Sequence, residues 1–189
     1  MLTLIIDSAT KRLYFGLVED NKVLDEVYFE GKNDHARHIV SGIEELLSKH
    51  NKDIVDVNEI ICGVGPGSYT GVRMAVTVAK MFAHFGNIRL RTISTLALMG
   101  SAANEDVLVM IDARRGNVFG AIVKNGDFIV DEAFISLEEL SKYPHSSVIS
   151  EDNYVVDPLN VIRVAHLVDE PLLLVPNYLR DTEAERNLC

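Results

Sequence analysis

The chain has 189 residues, 18 Lys and Arg against 28 Asp and Glu, a formal net charge of −10 and a hydrophobic content of 48%. A chain of this length buries about 70% of its unfolded surface, enough for a core without disulfides or metal, and its apolar content excludes global disorder, collagen and low-complexity classes. The acidic balance argues against a protein that grips a nucleic-acid backbone alone, because that affinity comes from Lys and Arg neutralising phosphates.

The first elements read as strands. Leu2–Ile6 is apolar and ends in the turn-like Asp7-Ser8-Ala9-Thr10; Leu13–Val18 and Val23–Glu30 flank the polar turn 19–22. Asn33 or Asp34 can then cap a helix whose apolar positions, Ala36, Ile39, Val40, Ile43, Leu46 and Leu47, follow helical spacing. Glu59–Val64 is a strand. Gly65-Pro66-Gly67-Ser68 turns it into a helix from Tyr69 to Phe85. A strand Leu90–Ile93 and a helix Leu96–Ala103, capped by Ser94 or Thr95, close this part.

A similar pattern then restarts: strands Val107–Ile111, Val118–Val123 and Phe128–Ala133, a helix Leu137–Lys142, a strand Ser147–Ser150 and a helix Pro158–Val168. Ile5-Ile6-Asp7 and Met110-Ile111-Asp112 occupy matching places. The expectation is two similar α/β halves, 1–103 and 104–189.

Cys62 sits in an apolar run, as a buried inert thiol would, and Cys189 is the last residue; there is no disulfide framework and no CxxC pair. The N-terminus lacks the basic region of a signal peptide, and no apolar run approaches the ~20 residues of a membrane span. The expected location is cytoplasmic.

Gly65 and Gly67 permit positive φ and Ser68 can cap the helix, so the segment is either a tight strand-to-helix turn or an anion site at a helix N-terminus. Neither the P-loop nor GxGxxG is present. Asp7 and Asp112, at strand ends, are turn residues or, in a duplicated fold, holders of a magnesium-bound phosphate. The helix after the glycines is apolar nearly all round, with Gly71, Ala75 and Ala79 spaced for close approach of a second helix. It is an internal core helix or a partner surface. His35 and His38, at i and i+3, read as a solvated or interface pair rather than metal ligands, and no metal is expected. Asp112-Ala113-Arg114-Arg115 can pair internally or meet a partner's acid.

Gly65-Pro66-Gly67-Ser68-Tyr69-Thr70-Gly71-Val72-Arg73 closely resembles the signature of the TsaB (YeaZ) family, bacterial subunits of the tRNA threonylcarbamoyladenosine machinery. Ile6-Asp7-Ser8-Ala9-Thr10, Ser94-Thr95-Leu96, Ile111 to Phe119 and Pro176-Asn177-Tyr178-Leu179-Arg180 resemble further family landmarks, in family order. The resemblance implies a duplicated ribonuclease-H-like, actin-like (ASKHA) fold with an abbreviated second half. It implies a non-catalytic scaffold subunit that heterodimerises with the paralogue TsaD and, with the ATPase TsaE, supports threonylcarbamoyl transfer to the adenosine beside the anticodon. Homodimers are also known in the family, and tRNA is met only through the complex. The family's contact uses the first two helices, here through His35, His38, Ile39, Gly42, Gly71, Met74, Ala75, Val78 and Phe82. No tightly bound cofactor is implied; ATP or ADP with magnesium would sit at the complex interface, with Asp7, Gly65, Gly67, Ser68 and Asp112 as this chain's nucleotide or anion candidates. The alternative is a small-molecule kinase or ATPase of the same superfamily working through that cleft. A metallopeptidase ranks below both.

Overall fold

Five of the six residues from Leu2 to Asp7 are Leu, Thr or Ile, and all six are buried. A strand covered on both faces is the central strand of a sheet. In the computed structural model, which describes residues 1–30 and 35–179 without the side chains of residues 35–37, it is β1. Leu2, Leu4 and Ile6 point to one core and Ile5 to another, the alternation a strand imposes.

Strands β2 (Arg12–Glu19) and β3 (Lys22–Glu30) continue from β1 as an antiparallel meander. Helix α1 (His35–Lys49) leads to β4 (Glu59–Gly63), parallel to β1, and helix α2 (Tyr69–Gly86) to β5 (Arg89–Ile93), parallel to β4. Both helices bury their apolar faces in the core formed by Leu4, Ile6, Leu13, Phe15 and Ile60. The N-cap positions Asn33 and Asp34 lie outside the described residues.

The second half repeats the plan. Strands β6 (Val107–Asp112), β7 (Asn117–Lys124) and β8 (Asp127–Ser136) form a meander, and the two-residue β9 (Val148–Ile149) lies parallel to β6. The order β8-β7-β6-β9 reproduces β3-β2-β1-β4. The one-turn helix α4 (Leu137–Leu140) stands in the chain where the first half has the fifteen-residue α1. These two mixed sheets make an ASKHA-like fold with an abbreviated second half. Helix α3 (Thr95–Met99), buried at every position, shares a core with Ile5, Ile61, Val109, Ile111 and Tyr154, so both halves close on it. It ends at Met99 with Gly100 as its C-cap, four residues short of the expected Ala103. A Cβ on Gly100 would stand 2.5 Å from the Val123 side chain.

The end of the chain departs from its sequence reading. Helix α5 covers only Pro158–Val164, and His166–Leu167 form β10, paired antiparallel with β5 on the edge of the first sheet. The helix stops where its last carbonyls find other partners. Arg91, on β5, donates to Ile162 O at 2.8 Å and to Ala165 O, and the same guanidinium reaches the buried Glu59 at 3.4 Å. Glu59 is also 3.6 Å from Arg89. Replacing Arg91 with Gln removes charge from one side of a buried carboxylate and a donor from two carbonyls. Because Arg89 remains, the expected loss is about 1–2 kcal/mol in urea unfolding.

No helix among the described residues is long and apolar enough to cross a membrane.

Candidate functional site

The ends of β1 and β4 and the start of α3 converge on the Asp7 carboxylate. It is 0% exposed. Its Oδ1 accepts the Ala9 N–H at 2.9 Å and its Oδ2 accepts the Thr95 hydroxyl at 2.6 Å. Thr95 Oγ1 in turn accepts the Gly65 N–H at 3.2 Å, and the Thr95 N–H returns to Gly65 O at 2.8 Å. Gly63 belongs to the same knot, since a Cβ there would fall 1.7 Å from Asp7 Oδ2. Burial pushes the Asp7 carboxyl up to about 6, against the opposing pull of the Thr95 and Ala9 hydrogen bonds.

The glycine-rich turn folds over this knot. Ser68 N–H donates to Ala9 O at 2.7 Å, and a Cβ on Gly67 would lie 2.3 Å from that same oxygen. Ser68 caps α2 by accepting the Gly71 N–H at 3.3 Å, and Ser8 Oγ donates to Gly71 O at 2.7 Å. The structure therefore brings Asp7, Gly65, Gly67 and Ser68 together, as the sequence reading grouped them, but with their groups turned toward one another. As a magnesium or phosphate site the set does not fit: both carboxylate oxygens are engaged, the Ser68 amide is used, and the carboxylate is sealed. Asp112 lies exposed at the end of β6, with Oδ1 accepting the Arg114 N–H at 2.8 Å. Thr95 was visible in the sequence as a helix-cap candidate and as part of the Ser94-Thr95-Leu96 landmark, not as a partner of Asp7. A bond spanning 88 residues leaves no local signal.

The α1–α2 face is the second candidate. The two helices leave a groove of about 490 Å³ lined by Val40, Tyr69, Met74, Thr77 and Val78 among others. Val40, Met81 and Phe85 are 53%, 55% and 81% exposed. Met74, Val78 and Phe82 are half-buried beside them. Four of the residues expected on a docking face are instead packing positions within the chain. Ile39, Gly71 and Ala75 are buried in the core, and a Cβ on Gly42 would meet the Phe15 ring at 2.6 Å. The small-residue stripe Gly71, Ala75, Ala79 is thus buried within the chain, Gly71 against the end of β1 and both alanines in the core. His38 packs its ring on Phe29 at 4.5 Å, and the His35 side chain lies outside the described residues. Among the described residues no group of three or more His, Cys, Asp or Glu could hold a metal.

Residues 22–166 match the family described as "TsaD: tRNA N6-adenosine threonylcarbamoyltransferase". The tRNA threonylcarbamoyladenosine biosynthesis protein TsaB of Bacillus subtilis is 33% identical over 131 residues, 67% of this chain and 57% of that one. The chain belongs to the TsaB/YeaZ branch of the TsaD family. Escherichia coli TsaB is 32% identical over 64% of this chain and 54% of its own length, so the match spans little more than half of these relatives. An uncharacterized Mycobacterium tuberculosis protein is 26% identical over 96% of this chain and 93% of its own. YeaZ from Pseudomonas aeruginosa superposes with a TM-score of 0.75 at 20% identity, covering 94% of this chain and 99% of that structure, which shows the shared fold. In the family's terms, the signature glycines here are the positions where the backbones of β1, the turn and α2 touch.

Proposed function

We propose that this chain is the non-catalytic scaffold subunit of a tRNA threonylcarbamoyladenosine complex: it heterodimerises with a TsaD partner through the α1–α2 face and, with TsaE, supports threonylcarbamoyl transfer to tRNA. The observation that carries the reading is the half-apolar α1–α2 groove with Val40 exposed in its wall, together with the exposed Met81 and Phe85 further along α2, all costly in water and inexpensive under a partner. The internally satisfied Asp7 knot supports the non-catalytic role, since both Asp7 oxygens are engaged within the fold and sealed from a phosphoryl group. ATP or ADP with magnesium belongs, on this reading, at the interface of the assembled complex, and tRNA is met through the partners, in keeping with a net charge of −10. Alone, the chain pairs with itself through the same face.

The test is co-purification with the TsaD and TsaE proteins of the same organism, with and without ATP. Val40→Glu and Thr77→Arg place charge in the groove from exposed positions. Each is expected to abolish capture while shifting stability by no more than about 0.5 kcal/mol. Undiminished capture by both variants would remove the interface assignment. Stoichiometric Mg-ATP binding by the isolated chain in a calorimeter would favour a kinase or ATPase instead.

A further inference from the structure

A separate cavity of about 530 Å³ opens on the seam between the two halves, away from the α1–α2 groove. Its walls come from the end of β5, the β7–β8 hairpin, the α5–β10 junction and the terminal segment at Asn177. Val64, Ile93, Phe128 and Val164 supply apolar surface. One half-buried carboxylate, Glu132, stands in it. Its oxygens receive only neutral donors, the Ser94 hydroxyl and the Asn177 side-chain amide at 2.5 Å. No ion pair to Glu132 is present among the described residues. The cation on the same wall, Arg163, is already committed to Asp127 at 2.7 Å and to Asn125 O at 2.7 Å. Burial holds the Glu132 carboxyl above its usual range despite those two hydrogen bonds, with Asp131 adding to the rise.

A half-buried anion held by neutral donors, in a pocket of ligand size with an apolar wall, lacks a counter-charge among the described residues. We infer that this cavity binds a small organic ammonium compound, its charged head on Glu132 and its hydrocarbon body against Phe128, Ile93 and Val164. A metal ion does not suit the site, because Asp127 is taken by Arg163 and no group of three or more His, Cys, Asp or Glu among the described residues could hold one. A neutral ligand would leave the charge where it is. The inference is independent of the family reading and of the α1–α2 face.

The probe is phenethylamine, titrated into the full-length chain at pH 8 by calorimetry, with 2-phenylethanol as its uncharged counterpart. Phenethylamine is expected to bind saturably, and both 2-phenylethanol and the Glu132→Gln variant are expected to weaken binding by about tenfold or more, the scale of one hydrogen bond to a charged group. Val164→Phe, which fills the cavity without touching the carboxylate, should do the same and decides the matter if Glu132→Gln does not fold. An acetylated lysine amide, titrated alongside, separates a partner's side chain from a free amine as the source of the ammonium group. Absence of saturable binding, equal binding of 2-phenylethanol, or unchanged affinity in a folded variant overturns the inference.

Discussion

Thr95→Val is expected to cost the fold about 3 kcal/mol at pH 8 and distinctly less at pH 5. The substitution keeps shape and removes one oxygen that serves two buried groups. Without it, Asp7 Oδ2 loses its 2.6 Å donor and the Gly65 N–H loses its acceptor. A buried group left unpaired costs about 1–3 kcal/mol, and a charged one more. The pH dependence follows from Asp7. Its folded carboxyl titrates near 6, above the value of 3.8 for a free side chain. The folded state therefore binds the proton more tightly than the unfolded one. Stability associated with this group is fully present below about pH 4 and is lost as pH rises to 6 and beyond. Removing Thr95 takes away a bond to the ionised form and raises the folded value further. The gap between variant and parent should open as pH climbs through 6 and then level off. Urea titrations of both proteins at pH 5, 6, 7 and 8 measure it; a pH-independent gap would mean that the carboxylate is not the group losing its partner.

Much of this arrangement was legible as pattern. The apolar runs Leu2–Ile6 and Leu13–Val18, the turn at 19–22 and helical spacing in 36–47 are local properties, and each element formed near its expected bounds. The matching Ile-Ile-Asp and Met-Ile-Asp endings of β1 and β6 did mark two sheets of one topology. What the sequence does not carry is which side of an element meets what. Helix α2 looked apolar all round, but its period cannot distinguish the Gly71–Ala75–Ala79 stripe that enters the chain's core from the Met74–Val78–Phe82 row beside the groove. Residues 166–168 continue a helical apolar rhythm, and only an edge at β5, with Arg91 already holding the α5 carbonyls, makes them a strand. The Asp7–Thr95–Gly65 knot and the Glu132–Asn177 contact join positions 30 to 88 residues apart, beyond any window of periodicity.

The same knot makes Gly71→Ala a severely damaging single methyl. Gly71 is in the first turn of α2, where alanine is the better helix former by about 1 kcal/mol. Propensity alone therefore favours the variant. Contact geometry reverses the sign. The added Cβ would stand 2.0 Å from Ser8 O, a backbone atom at the end of the central strand. That carbonyl cannot swing aside, because its residue is tied to the helix by the Ser8 Oγ bond to Gly71 O and its neighbour by the Ser68 N–H bond to Ala9 O. Relief requires lifting the N-terminus of α2 off β1, which would break those bonds and open the cover over Asp7. Overpacking of this kind costs about 3 kcal/mol or more when backbone must move. Gly116→Ala is the matched control. Its φ is +74°, but a Cβ there meets nothing within 4 Å, so only the left-handed backbone is penalised, about 1 kcal/mol. Unfolding free energies of the two variants in urea should separate by about 2 kcal/mol or more, with Gly71→Ala the less stable and its midpoint lower. Equal midpoints would show that α2 can slide on β1, and the glycine would then be free to change without loosening the carboxylate beneath it.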